Sequence, residues 1–108
     1  MSRPERLRLL DILDAMDRIA SYVEGMDYAA FLADRKTQDA VARNIEIIGE
    51  AARALPEDFT ERHAGVPWGE IVGMRNVIIH QYFGILPKVV WDVIRNELPS
   101  LRAQIAKL

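Results

Sequence analysis

Apolar residues recur along this chain at steps of three and four, the period of a helix that buries one side. Leu9, Ile12, Leu13, Met16, Ile19, Ala20 and Val23 form the first such stripe. It predicts a helix that opens at Pro4, where a missing N–H costs nothing, and stops near Gly25. A short segment, Tyr28 to Ala33, follows Asp27, whose carboxylate is a candidate cap. Val41, Ile45, Ile48, Ala52 and Leu55 define a second long helix from about Asp34 to Leu55, ended by Pro56. Gly49 lies inside that stripe, where glycine costs up to about 1 kcal/mol relative to alanine. Its presence predicts close approach of a neighbouring helix. Pro56 to Pro67 reads as a connection with one helical turn at Glu57–Arg62. A third helix runs from Pro67 to Tyr82 or Phe83 and is stopped by Gly84. A fourth starts near Pro87 and carries Val90, Ile94, Leu98, Leu101, Ile105 and Leu108, with Pro99 predicted to kink or break it. No repeat and no strand-like alternation appears. Four helices with short connections predict an all-α antiparallel bundle, one domain over residues 1–108.

The third helix does not fit the pattern of the others. Trp68, Ile71, Val72, Met74, Val77, Ile78 and Ile79 are spread around nearly its whole circumference. A helix apolar on all sides is expected to be buried, in its own bundle or against a second chain. Yet Arg75, Asn76, His80 and Tyr82 share the same two turns. Burying such a cluster costs several kcal/mol unless each group is satisfied. Asn76 and His80, four apart, share one face, and Arg75 and Tyr82, seven apart, share another. Arg75 and His80 are separated by about 140° around an ideal helix, so one helix does not aim both at one atom. Either the helix loosens before Gly84, or two copies meet about a twofold axis and build one site together. Spacing alone leaves a plainer account open, in which His80 is a satisfied core histidine and Arg75 bridges neighbouring helices.

Composition narrows the chemistry. Of 108 residues half are hydrophobic and 28% are charged, the balance of an ordered globular chain. A domain of this size buries a modest share of its surface, which leaves room for a second copy to cover more. The net charge of −2 announces no nucleic-acid binder. The basic residues are skewed, 11 arginines against Lys36, Lys88 and Lys107. Arginine suits bidentate phosphate contacts, but genome composition explains an Arg- and Ala-rich chain more simply. With no cysteine, a disulfide framework, a thiolate zinc site and a cysteine nucleophile are all excluded. A zinc site would need carboxylates from distant helices, and His63 reads as a surface residue. Asp11, Asp14 and Asp17 line one side of the first helix, where Asp14 with Arg18 suggests a solvated, paired face. Trp68 and Trp91 read as core or interface rather than stacking platforms. No apolar run approaches a membrane span or a secretory signal, so a cytoplasmic protein is expected.

The segment Arg75-Asn76-Val77-Ile78-Ile79-His80-Gln81-Tyr82 matches the signature Arg, four residues, His, one residue, Tyr of the HepT-like toxins. These belong to the HEPN superfamily (higher eukaryotes and prokaryotes nucleotide-binding). The flanks Pro67 to Met74 and Phe83-Gly84-Ile85, and Arg43 to Ala52 on the second helix, resemble that family too. The likeness extends over nearly the whole chain. It implies a HEPN-like bundle of four to five helices, usually a homodimer with the motif helices near its axis. It also implies a metal-independent ribonuclease toxin without a cofactor, in a type VII-like toxin–antitoxin pair with a minimal nucleotidyltransferase antitoxin. By the same resemblance Arg75 and His80 are the catalytic pair and Asn76 the supporting polar residue. Tyr82 is the residue that the antitoxin modifies with AMP to silence the toxin.

That chemistry is coherent, because RNA carries its own nucleophile in the 2′-hydroxyl. Cleavage then needs a proton acceptor, a proton donor and a fixed positive charge near the phosphorane oxygens. Histidine can exchange the protons at neutral pH and arginine can supply the charge. Two alternatives carry the same residues. A non-catalytic HEPN module would bind RNA or nucleotide, or scaffold a partner, and a structural dimer would use the polar cluster to fix its register.

Overall fold

The computed structural model describes residues 4–81 and 87–108, without the side chains of Val77, Ile79, His80 and Gln81. Helix α1 (Glu5–Tyr22) follows Pro4, which stands at its N-cap. It gives way to a turn in which Gly25 takes φ +76°, a conformation that disfavours any side chain. Asp27 caps α2 (Tyr28–Leu32), its carboxylate accepting the Ala30 N–H at 2.8 Å. Asp34 caps α3 (Arg35–Arg53) more fully: one oxygen accepts the Thr37 N–H at 3.0 Å and the other its hydroxyl at 2.8 Å. The connection does hold one short helix, α4 (Glu57–Arg62), before α5 (Trp68–Gln81).

The last unit departs from expectation at Pro99. Helix α6 (Pro87–Asp92) runs into a π-helical turn, Val93–Glu97, and then into α7 (Leu98–Ala106). Proline has no N–H to give to the carbonyl four residues back, and its ring crowds that carbonyl. The Leu98 N–H reaches the Val93 carbonyl, five residues earlier, so the added residue absorbs the misfit within one continuous helical unit. The predicted break is a widened turn.

Helix α3 is central, packed against α1 on one side and α5 on another, while α7 closes on α1 and α2 bridges α3 and α6. The described residues form an all-α bundle 42 Å long and about 25 Å across. Ile12, Ile19, Phe31, Val41, Ile48 and Ile71 have no exposed surface, and each such side chain contributes about 1.5–3 kcal/mol of burial. Both tryptophans belong to this core. Trp91 lies 5.2 Å from the Phe31 ring, and Trp68 donates its indole N–H to the His63 carbonyl at 3.1 Å. His63 is only half-exposed, because its ring packs 4.6 Å from that of Phe59. On α1, Asp14 pairs with Arg18 at 3.1 Å, and Asp17 holds Arg102 of α7 through two bonds of 2.6 and 3.1 Å. None of the helices is long and apolar enough to cross a membrane, among the described residues.

Candidate active site

Helix α5 turns Trp68, Ile71, Met74 and Ile78 into the core, at steps of three, three and four. Arg75 and Asn76 therefore fall on other sides of the helix. Asn76 is exposed and the Arg75 side chain retains 28% of its surface. Within one chain, then, the bundle buries the Arg75 Nε but not Asn76, and of the two burials expected for the cluster, inside its own bundle or against a second chain, the first does not hold for Asn76. With apolar residues all round α5, the wheel does not distinguish the side that meets the bundle from the side that meets solvent. His80 lies in the last turn of α5, and its side chain, like the whole of Tyr82 and Gly84, falls outside the described residues.

What holds Arg75 is on α3. A Cβ built on Gly49 would stand 2.5 Å from the Arg75 Cβ, so the two helices touch here only because position 49 has no side chain. One residue further, the Glu50 carboxylate approaches Arg75 Nε at 3.9 Å. That is a charge contact rather than a hydrogen bond. Nε is itself buried and has no hydrogen-bond partner among the described residues. Arg75 thus sits in the α3–α5 seam with its root clamped, its charge only loosely balanced and more than a quarter of its side chain open. Such an arginine can receive an anion without first breaking a strong internal bond. Glu46, half-buried, pairs with Arg43 at 3.5 Å one turn earlier on α3. Asn44, the buried polar residue of that helix, donates to the Ala40 carbonyl at 2.9 Å.

Another side of α5 has a different character. Glu70, Gly73, Met74 and Ile78 line a hollow of about 700 Å³, completed by Ile45 and by Val89, Val90 and Val93 of the last unit. Asn96, Glu97, Ser100 and Gln104 add polar groups to its mostly aliphatic lining, and neither Arg75 nor Glu50 lines it. The cationic seam and the apolar hollow are separate features. No group of three or more histidine, aspartate or glutamate side chains able to hold a metal occurs among the described residues.

Sequence reasoning named Arg75 and Asn76 but assigned no role to Glu50. Its signal was adjacency to Gly49, since whatever follows a forced helix contact lies beside it. Gly49 itself was legible as a point of close approach, though not what it approaches.

Comparisons with known proteins bear on the family. The family model described as "Ribonuclease HepT-like" matches residues 12–108. A Thermococcus cleftensis protein named "Probable ribonuclease HepT" is 40% identical over 108 residues, covering all of this chain and 98% of the relative. A Methanocaldococcus jannaschii protein named as a candidate RNase is 43% identical over 95 residues, 88% of this chain and 78% of its own. A similarly named protein of Caldanaerobacter subterraneus is 39% identical over 97 residues, 90% of this chain and 87% of its own. No solved structure matches the chain significantly. With a family match over nearly its whole length and one relative covered almost end to end, the chain belongs to the HepT-like ribonuclease family.

Proposed function

We propose that this chain, as one HEPN-like domain over residues 1–108, is a metal-independent endoribonuclease acting through Arg75 and His80. The observation that carries the proposal is Arg75 itself. A guanidinium clamped at its root by Gly49, balanced only at 3.9 Å and partly open to solvent is built to take a phosphate. His80 follows five residues later on the same helix, and Asn76 supports the pair as a polar neighbour on an exposed position.

In the reaction, a base removes the proton of the ribose 2′-hydroxyl and that oxygen attacks the adjacent phosphorus. The bond from phosphorus to the 5′-oxygen breaks, and an acid returns a proton to the leaving oxygen. The products are a 2′,3′-cyclic phosphate and a 5′-hydroxyl. Arg75 stabilises the extra negative charge on the phosphorane, and His80 moves the protons. No cofactor enters this scheme. In this role the protein is a toxin, working as a homodimer in the cytoplasm and paired with a nucleotidyltransferase antitoxin that places AMP on Tyr82. Each adduct would add negative charge and bulk where substrate phosphate must bind.

The decisive experiment uses the purified full chain, a single-stranded RNA and a metal-free buffer. Arg75→Ala and His80→Ala should each reduce cleavage by about 10²–10⁴-fold while helical content is retained. The losses should not add in the double variant, because both groups serve one transition state. EDTA should leave the rate unchanged. RNA affinity without turnover in the wild type would favour a binding module instead, and full cleavage by His80→Ala would remove that residue's role.

A further inference from the structure

Arg75 leaves α5 toward α3, and its Cβ rests where Gly49 has no side chain. The Arg75 Cδ and Cγ also lie 3.3 and 3.4 Å from the position a Gly49 Cβ would take, so the contact seats the stem as far as Cδ and leaves the last torsion, and so the direction of the guanidinium plane, to be set by something else. The Nε edge is buried and makes no hydrogen bond among the described residues. The charge beside it is Glu50, on the residue after Gly49, with Oε1 at 3.9 Å from Nε and 53% of the side chain exposed. We propose that Glu50 is a positioning residue for Arg75, drawing the Nε edge toward α3 so that the two terminal nitrogens face a phosphate of the RNA. This rests on the reading of Arg75 as the phosphate-binding arginine.

The geometry suits that role. A guanidinium presents one fork of donors through Nε and a terminal nitrogen, and a second through its two terminal nitrogens. A carboxylate on the Nε side orients the plane while leaving the second fork for two phosphate oxygens. At 3.9 Å the attraction lacks a hydrogen bond, so it steers the guanidinium without neutralising it as a tight pair would. Glu50 also places a negative charge near an approaching polyanion, which opposes binding. Orientation and repulsion therefore act on different steps, turnover and affinity.

The test is Glu50→Gln in the full chain, nearly isosteric and uncharged, with Glu50→Asp as the conservative variant and Arg75→Ala as reference. Cleavage of a single-stranded RNA gives kcat and KM, and the Nε–H resonance of Arg75, assigned by its loss in Arg75→Ala, reports the side chain directly. Glu50→Gln should lower kcat by about tenfold or more, since misplacing a group that serves the transition state costs rate. KM should stay the same or fall, and Glu50→Asp should lie between Glu50→Gln and wild type. The Arg75 Nε–H should exchange with water faster in Glu50→Gln than in wild type. A kcat within about twofold of wild type overturns the proposal, whatever KM does, as does an unmoved resonance; a merely structural Glu50 would lower the denaturation midpoint and leave both readouts alone. Should the wild type prove inactive on RNA, or Arg75→Ala fully active, the reading of Arg75 fails, and the resonance alone decides whether Glu50 holds it.

Discussion

A methyl group at position 49 has nowhere to go. It would meet the Arg75 Cβ at 2.5 Å, and that atom is fixed to the backbone of α5, so relief requires the helices to part. Gly49→Ala should therefore destabilise the fold by about 1–3 kcal/mol, the usual cost of overpacking, despite alanine's better helix propensity. RNA cleavage should fall with it, because the same displacement moves Arg75. Gly69 offers the control: no heavy atom lies within 4 Å of a Cβ built there. Gly69→Ala should be neutral or raise stability by up to about 1 kcal/mol, by narrowing the unfolded ensemble. Urea denaturation of the two variants beside wild type measures both signs, and equal behaviour at the two positions would mean the α3–α5 contact is slack.

At the scale of elements, the start of α3 depends on one carboxylate. Asp34 accepts both the N–H and the hydroxyl of Thr37, and the backbone bond above all holds its pKa below the ordinary value of 3.8. A carboxyl whose folded pKa is depressed contributes stability that is complete above the unfolded value and is lost as pH falls through the folded one. Asp34→Ala should thus unfold at lower urea than wild type at pH 7, and the gap should close on acidification below the carboxylate range. Asp34→Asn, which keeps an acceptor oxygen but cannot titrate, should show less of this pH dependence. The cap at Asp27, the start of α3 near Asp34 and the stop at Gly25 were legible because their chemistry is local: the residue that makes the bond stands within a few positions of the one that receives it. The outcome at Pro99 was not, since a proline inside a helical pattern excludes one hydrogen bond without saying whether the chain will break or widen. Packing of α6 on α2 and of α7 on α1 holds the two halves in one unit, which favours the widened turn. Which side of α5 meets the bundle was not legible for a related reason, as α5 offers several apolar faces and only the neighbouring helices choose among them. Glu50 stayed hidden because the register between α3 and α5 is a tertiary fact.

For the whole molecule, the proposed mechanism asks that Arg75 and His80, about 140° apart on one ideal helix, serve a single phosphate. A twofold dimer meets this demand if each site takes its arginine from one subunit and its histidine from the other. The single chain leaves surface for such an interface, with half-buried Val72 on α5 and exposed Val89 at the apolar hollow. Sedimentation at micromolar concentration should then find a dimer. Complementation tests the composite site more sharply. Arg75→Ala and His80→Ala dimers should each be inactive, yet a mixed dimer would keep one intact site, built from the arginine of the second subunit and the histidine of the first. Its other site would lack both. Random reassortment of equal amounts makes half of all dimers mixed, each with one working site of two, so cleavage should return to about one quarter of wild type. If both residues of a site came from the same chain, no pairing of the variants would bring an intact arginine and histidine together. Mixing would then restore nothing, although the dimer itself would still sediment as one.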